Sequence, residues 1–215
     1  MATLRSPASA PAVTAPVTQG GLDVSFSEYL IHLGIGTPRP QRVALTLDTG
    51  SDLVWTQCAC AACFDQPFPV LRASASSNFP RVPCSDPLCR GYLPIVEDTF
   101  TFKALGGKKH AAVATPNLRF GCGMLNVGVF NSNKSGIAGF GRGPLSLPSQ
   151  LNVRSSPFYY LSLRGVTVGK MRLPFNASAF TIKGDGSGRT IIDSGTSNAK
   201  SCNTSVLIAP LWTSA

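Results

Sequence analysis

An all-β chain of short strands and turns is what this sequence predicts, and three observations carry the prediction. Glycine and proline together make 38 of 215 residues (21 + 17), about 18% against roughly 12% in average usage, so the chain is heavily punctuated. Charged residues are only 13%, which with that punctuation favours short strands over long helices. Apolar and β-branched runs of a few residues stop repeatedly at Asp, Gly, Pro or Ser. A hydrophobic share of 43% can build one or two globular domains with a sizeable core, and a mean hydropathy of +0.14 argues against disorder. No run reaches the roughly 18 apolar residues of a membrane-spanning helix, so a membrane span is excluded, and with the composition above so are coiled coil and collagen; no membrane partner is expected.

Residues 1–21 are rich in Ala, Pro, Thr and Ser, with Arg5 as the only charge. They hold no 7–15-residue apolar segment of a secretory signal, so residues 1–27 read as a flexible tail or propeptide remnant. A plastid or mitochondrial transit peptide fits the same acid-free composition. Order is expected from Glu28: residues 29–36 alternate bulky and small side chains before the turn at Thr37-Pro38. Residues 43–47 read as a strand that stops at Asp48-Thr49-Gly50-Ser51, and residues 52–56 as the next strand of a meander. Residues 57–95 are irregular and carry cysteines, and residues 99–103 and 118–120 are further short strands. Gly136-Ile137-Ala138-Gly139 reads as a buried strand whose glycines let another backbone come close. The proline-bearing stretch 144–151 then reads as a short helix. Residues 159–163 and 166–168 read as a strand pair, and residues 190–192 as a strand ending at Asp193-Ser194-Gly195-Thr196.

The net charge of +9 comes from 19 basic and 10 acidic residues. The bases lie singly, Lys108-Lys109-His110 being the densest group, and no basic stripe interleaved with aromatics accompanies them, so no nucleic-acid partner is expected. No G-x-G-x-x-G loop sits between a strand and a helix, which removes nucleotide binding. Cys58, Cys60, Cys63, Cys84, Cys89 and Cys122 precede residue 123, and Cys202 alone follows. The tight group at 58–63 lacks the paired knuckles of a zinc site, and His32 and His110 have no ligand-like spacing to it. No metal or cofactor is expected. A disulfide framework is, with the pairing open among 15 connectivities of the six cysteines. Sequons at Asn133, Asn176 and Asn203 fit a secreted, glycosylated protein.

The main signal is a repeated tetrapeptide. Leu45 to Ser51 and Thr190 to Thr196 share one pattern: apolar strand, Asp, small hydroxyl, Gly, small hydroxyl. Average usage predicts about 0.01 such matches in a chain this long, so two that each cap an apolar strand are not a pair of ordinary turns. Two carboxylates a few ångströms apart cannot both ionise and share one proton. The ionised partner takes a proton from a water between them while the protonated one polarises a peptide carbonyl, and no covalent intermediate or metal is needed. Glycines Gly50 and Gly195 let backbone approach each carboxylate. The hydroxyls of Ser51 and Thr196 can bind its outer oxygens, and those of Thr49 and Ser194 can brace the two loops. Serine–histidine chemistry is disfavoured because neither histidine lies in a positioning motif.

These residues are matched in family order. Glu28-Tyr29-Leu30, Gly34-Ile35-Gly36-Thr37-Pro38, residues 47–58 (LDTGSDLVWTQC), Phe120-Gly121-Cys122-Gly123, residues 136–139 and residues 191–197 together resemble the pepsin-like aspartic peptidases of the plant nepenthesin type. The resemblance implies an all-β, bilobal acid-protease fold, with residues 28–151 as the first lobe and residues 152–215 as part of the second. It implies a catalytic dyad of Asp48 and Asp193, Trp55 as support in the cleft, a polypeptide substrate bound in extended form, a monomer, and a secreted or secretory-pathway location. Aspartic endopeptidase activity is the function it implies, with a catalytically inactive, protease-like inhibitor or binding protein as the alternative. The chain departs from the pattern at three places. The flap hairpin is missing, since Cys89 to Pro94 runs straight into residues 96–102 and Tyr92 is followed by Leu-Pro. Ser149-Gln150-Leu151 passes within a few residues to Pro157-Phe158-Tyr159. The chain ends 22 residues after Asp193 (215 − 193), which reads as a shortened gene model or splice product.

Overall fold

Strands and turns dominate the computed structural model of the chain. It describes residues 2–4, 13–20, 28–83, 85–87, 94–104, 111–127, 133–152, 160–161, 167–174, 190–191, 194, 201–202 and 205–206. The principal strands are β1 (Ala2–Leu4), β2 (Val13–Ala15), β3 (Val17–Gly20), β4 (Glu28–Ile35), β5 (Gln41–Asp48), β6 (Trp55–Ala62), β7 (Ile95–Ala104), β8 (Ala112–Leu125) and β9 (Gly136–Gly139). They make one sheet in the order β1-β2-β7-β8-β6-β9-β5-β4-β3. An added antiparallel pairing of β4 with β7, through Gly34↔Thr101 and Ile35↔Phe100, closes β4, β5, β9, β6, β8 and β7 into a barrel. Short two-stranded pairs follow, including β10 (Tyr160–Leu161) with β13 (Thr190–Ile191) and β11 (Thr167–Val168) with β12 (Met171–Arg172).

The barrel interior is built by side chains at strand spacing. Ile31, Leu33 and Ile35 of β4, Val43 and Leu45 of β5, Phe100 and Phe102 of β7, and Leu118 and Phe120 of β8 are all buried. Phe120 takes Phe100 and Phe79 edge-on, with centroids 5.5 and 5.9 Å away. Each such side chain contributes about 1.5–3 kcal/mol by leaving water. Beyond the barrel, Leu147–Gln150 forms the short helix α1, capped by Ser146, whose Oγ accepts from Ser149 N at 3.3 Å. Pro148 sits in its first turn, where a missing N–H costs nothing.

Four segments differ from the sequence expectation. The strands read as a pair at 159–163 and 166–168 each take another partner: Tyr160–Leu161 pairs with Thr190–Ile191, and Thr167–Val168 with Met171–Arg172. Val13–Ala15 and Val17–Gly20, inside the stretch read as a flexible tail, pair with β7 and β4. Pro16 falls between these two strands, where its carbonyl accepts from His32 N at 3.0 Å, so the prolines did not mark the absence of strand. The cysteine-bearing stretch is not irregular from residue 57: β6 runs on to Ala62, held by parallel pairing to β8. Strand β6 also begins at Trp55, not at Asp52; ahead of it Ser51 O accepts from Gly141 N at 2.8 Å and Val54 O from Gly121 N at 2.7 Å.

Candidate active site

Strand β5 delivers Asp48. Val43 to Thr46 are all buried, so the strand passes through the core and brings the half-buried Asp48 to its end. The loop then wraps its own carboxylate: Gly50 N donates to Asp48 Oδ1 at 2.9 Å and Ser51 Oγ donates to Oδ2 at 2.5 Å. With both oxygens accepting from the loop, the plane of the carboxylate is fixed.

Strand β9 supports this loop from the side. It pairs in parallel with β5, Asp48 opposite Gly139, and Phe140 N donates to Asp48 O at 2.6 Å. The glycines are required by close approach. A Cβ on Gly139 would lie 2.3 Å from the carbonyl carbon and oxygen of Asp52, and one on Gly136 would lie 2.1 Å from Trp55 O. Asp52 completes the brace, its Oδ1 accepting from Gly143 N at 2.7 Å. Trp55 is half-buried at the start of β6, with its backbone paired to Gly121 of β8 and Ile137 of β9.

The second Asp-hydroxyl-Gly motif meets the first through Ser194. Ser194 Oγ donates to Leu47 O at 2.7 Å and accepts from Thr49 N at 3.2 Å, and Ser194 N donates to Thr49 Oγ1 at 3.0 Å. Three hydrogen bonds therefore join residues 145 and 147 positions apart in sequence. Asp193, Gly195 and Thr196 lie outside the described residues.

The family described as xylanase inhibitor N-terminal matches residues 29–95 and 92–164, and the one described as xylanase inhibitor C-terminal matches residues 158–203. Asp48 falls in the first and Asp193 in the second. The chain belongs to the TAXi-like branch of the pepsin-type aspartic proteases. Aspartic proteinase nepenthesin-1 of Nepenthes gracilis is 37% identical over 79% of this chain and 52% of its own length. Nepenthesin-2 of the same plant is 33% identical over 87% and 54%. The chain thus spans about half the length of the curated relatives it matches. The crystal structure of edgp superposes with a TM-score of 0.50 at 18% identity, covering 84% of this chain and 64% of that one, and shares the fold.

In this TAXi-like chain the structure pairs four of the candidate cysteines. Cys58–Cys122 ties β6 to β8 with Cα atoms 5.4 Å apart, and Cys60–Cys63 closes a three-residue step. Cys84 and Cys89 lie outside the described residues, as do Tyr92, Asn176 and Asn203, while Asn133 is exposed. Among the described residues no group of three His, Cys, Asp or Glu could hold a metal ion. His32 shares a 2.8 Å hydrogen bond between Nε2 and Thr18 Oγ1 and meets Phe68 edge-on. Burial, and then the charge of Arg42, hold its pKa below the usual histidine value. His110 lies outside the described residues.

Sequence reasoning missed two framework residues beside the site. Gln57 is fully buried, and its amide mimics a strand partner for Phe64: Nε2 donates to Phe64 O at 2.9 Å and Phe64 N donates to Oε1 at 2.8 Å. Glu28 takes a 2.7 Å ion pair from Lys134 and a 2.8 Å hydrogen bond from Thr46, next to the strand that ends in Asp48. The signal for Glu28 was a long polar side chain at the start of an apolar strand, and for Gln57 the one long polar side chain within the stretch 53–60.

Proposed function

We propose that the chain is an aspartic endopeptidase, hydrolysing peptide bonds in polypeptides with a water activated between Asp48 and Asp193. The observation that carries this reading is the hydrogen-bonded joint between Thr49 and Ser194, because Ser194 is the chain neighbour of Asp193 and Thr49 that of Asp48. The naming of the relatives as aspartic proteinases supports it. In the proposed reaction the dyad holds one proton. The ionised carboxylate removes a proton from water as its oxygen bonds to the scissile carbonyl carbon, and the protonated carboxyl hydrogen-bonds the carbonyl oxygen. The tetrahedral species collapses when the leaving nitrogen takes a proton from the dyad. An extended polypeptide is the substrate class, with Trp55 supporting the cleft wall. Two disulfides favour an oxidising, secretory-pathway location.

The second reading is a protease-like inhibitor or binding protein without catalysis, and the matched family descriptions, which name xylanase inhibitors, favour it. Cleavage of acid-denatured haemoglobin at about pH 3.5, between the two proton steps of a carboxylate dyad, separates the readings. The peptidase reading expects cleavage that pepstatin blocks and Asp48→Asn abolishes. Folded chain that leaves the substrate intact overturns it in favour of the binding protein.

A further inference from the structure

We infer that Asn133 is an N-glycosylation site that is open only before the barrel closes, so that folding itself ends the opportunity for modification. The inference rests on a mismatch within one sequon, Asn133-Lys134-Ser135. Transfer from a lipid diphosphate-linked oligosaccharide joins the Asn amide nitrogen to the anomeric carbon, breaks the sugar–diphosphate bond and releases the lipid diphosphate and the amide proton. It requires the acceptor amide and the hydroxyl two residues later to be read together. In the folded chain the two are on opposite sides of the surface: Asn133 is exposed, whereas Ser135 is 0% exposed.

Ser135 is also built into the barrel by its backbone. It immediately precedes β9, which lies between β5 and β6. Ser135 N donates to Ala44 O of β5 at 2.6 Å, and Ser135 O accepts from Gln57 N at 2.9 Å and Thr56 Oγ1 at 3.0 Å, both of β6. Its Oγ faces Ala44 N at 3.4 Å. Presenting that hydroxyl to a transferase means pulling the chain out from between two strands and breaking these bonds, each an exchange of a buried partner for nothing. The exposed Asn133 amide, by contrast, leaves room for a glycan on the finished fold. The bridge Cys58–Cys122 fastens to β8 the same β6 that Ser135 is bonded to, so keeping it reduced loosens one wall of the slot that buries Ser135.

The test translates the full chain behind a secretory leader into microsomes, with and without dithiothreitol. Occupancy of Asn133 is read by mass spectrometry as the Asn-to-Asp conversion left by glycosidase. The expected result is occupied Asn133, with a higher occupied fraction when the reductant delays closure, and loss of that one glycan in Asn133→Gln. Purified oligosaccharyltransferase supplied with the lipid diphosphate-linked oligosaccharide should modify the chain held unfolded in its reduced form and leave the oxidised, refolded chain unmodified. Asn133 empty in both translations, or equal modification of folded and unfolded chain, overturns the inference. Because Asn133 is exposed, Asn133→Gln keeps the fold, and the two-state comparison needs no variant at all.

Discussion

Burying a carboxyl group costs free energy unless both oxygens are satisfied, and Asp98 satisfies one. It is 0% exposed on β7; its Oδ1 accepts from Thr99 N at 2.7 Å and from Ser76 Oγ at 3.0 Å, while Oδ2 has no hydrogen-bond partner among the described residues. Burial raises its pKa above the ordinary carboxylate value, against the two hydrogen bonds, which lower it. A raised folded-state pKa gives stability that is fully present below the unfolded value and is lost as pH climbs through the folded one. Asp98→Asn removes that dependence. Between the two pKa values the variant should gain on the parent by up to about 1.4 kcal/mol per pH unit, seen in denaturant melts at pH 3, 5 and 7. A gap that does not change with pH would mean that Asp98 binds its proton equally well in the folded and the unfolded chain. The device suits a chain proposed to work in acid, since the site-bearing barrel then tightens where the dyad is active.

At the scale of elements, the glycines of β9 set how closely the Asp48 loop can be held. A methyl group on Gly139 would press into the Asp52 backbone, which cannot swing aside as a flexible side chain would. Gly139→Ala should therefore cost about 1–3 kcal/mol, measured by thermal denaturation, and should lower any peptidase activity by loosening the loop. This part of the molecule was legible in the sequence: Val43 to Leu47 is a β-branched and apolar run stopped by Asp-Thr-Gly, and Gly136 to Gly139 shows its glycines at the spacing of a close approach. Strand β6 was not legible past Thr56, because Cys-Ala repeats have weak strand propensity and the strand is set by its partner, Gln57 opposite Gly123 and Ala62 opposite Leu125. Strands β2 and β3 were hidden for a related reason: the Ala, Pro, Thr and Ser composition read as a flexible tail, yet Val13 and Ala15 are buried and β2 pairs with β7. The burial of Ser135 was equally out of reach, since it depends on β5 and β6, 91 and 79 residues away.

For the whole molecule, the bridge between Cys58 and Cys122 restrains the unfolded chain over a separation of 64 residues, against 3 for Cys60–Cys63. Loop-closure entropy puts the first at about 4 kcal/mol and the second at about 2 kcal/mol. Cys58→Ala with Cys122→Ala should accordingly shift the denaturation midpoint about twice as far as Cys60→Ala with Cys63→Ala. Equal shifts would mean that the local bridge restrains more than its own turn. The barrel also governs how the chain meets copies of itself. Because β4 pairs with β7, all six barrel strands have neighbours on both sides, and the outer strands of the sheet are β1 and β3, three and four residues long. An unpaired strand edge is a template on which another chain can add, and the risk grows with its length. Among the described residues the two end strands of this sheet are brief, so they offer little length of backbone on which amyloid-like stacking could start.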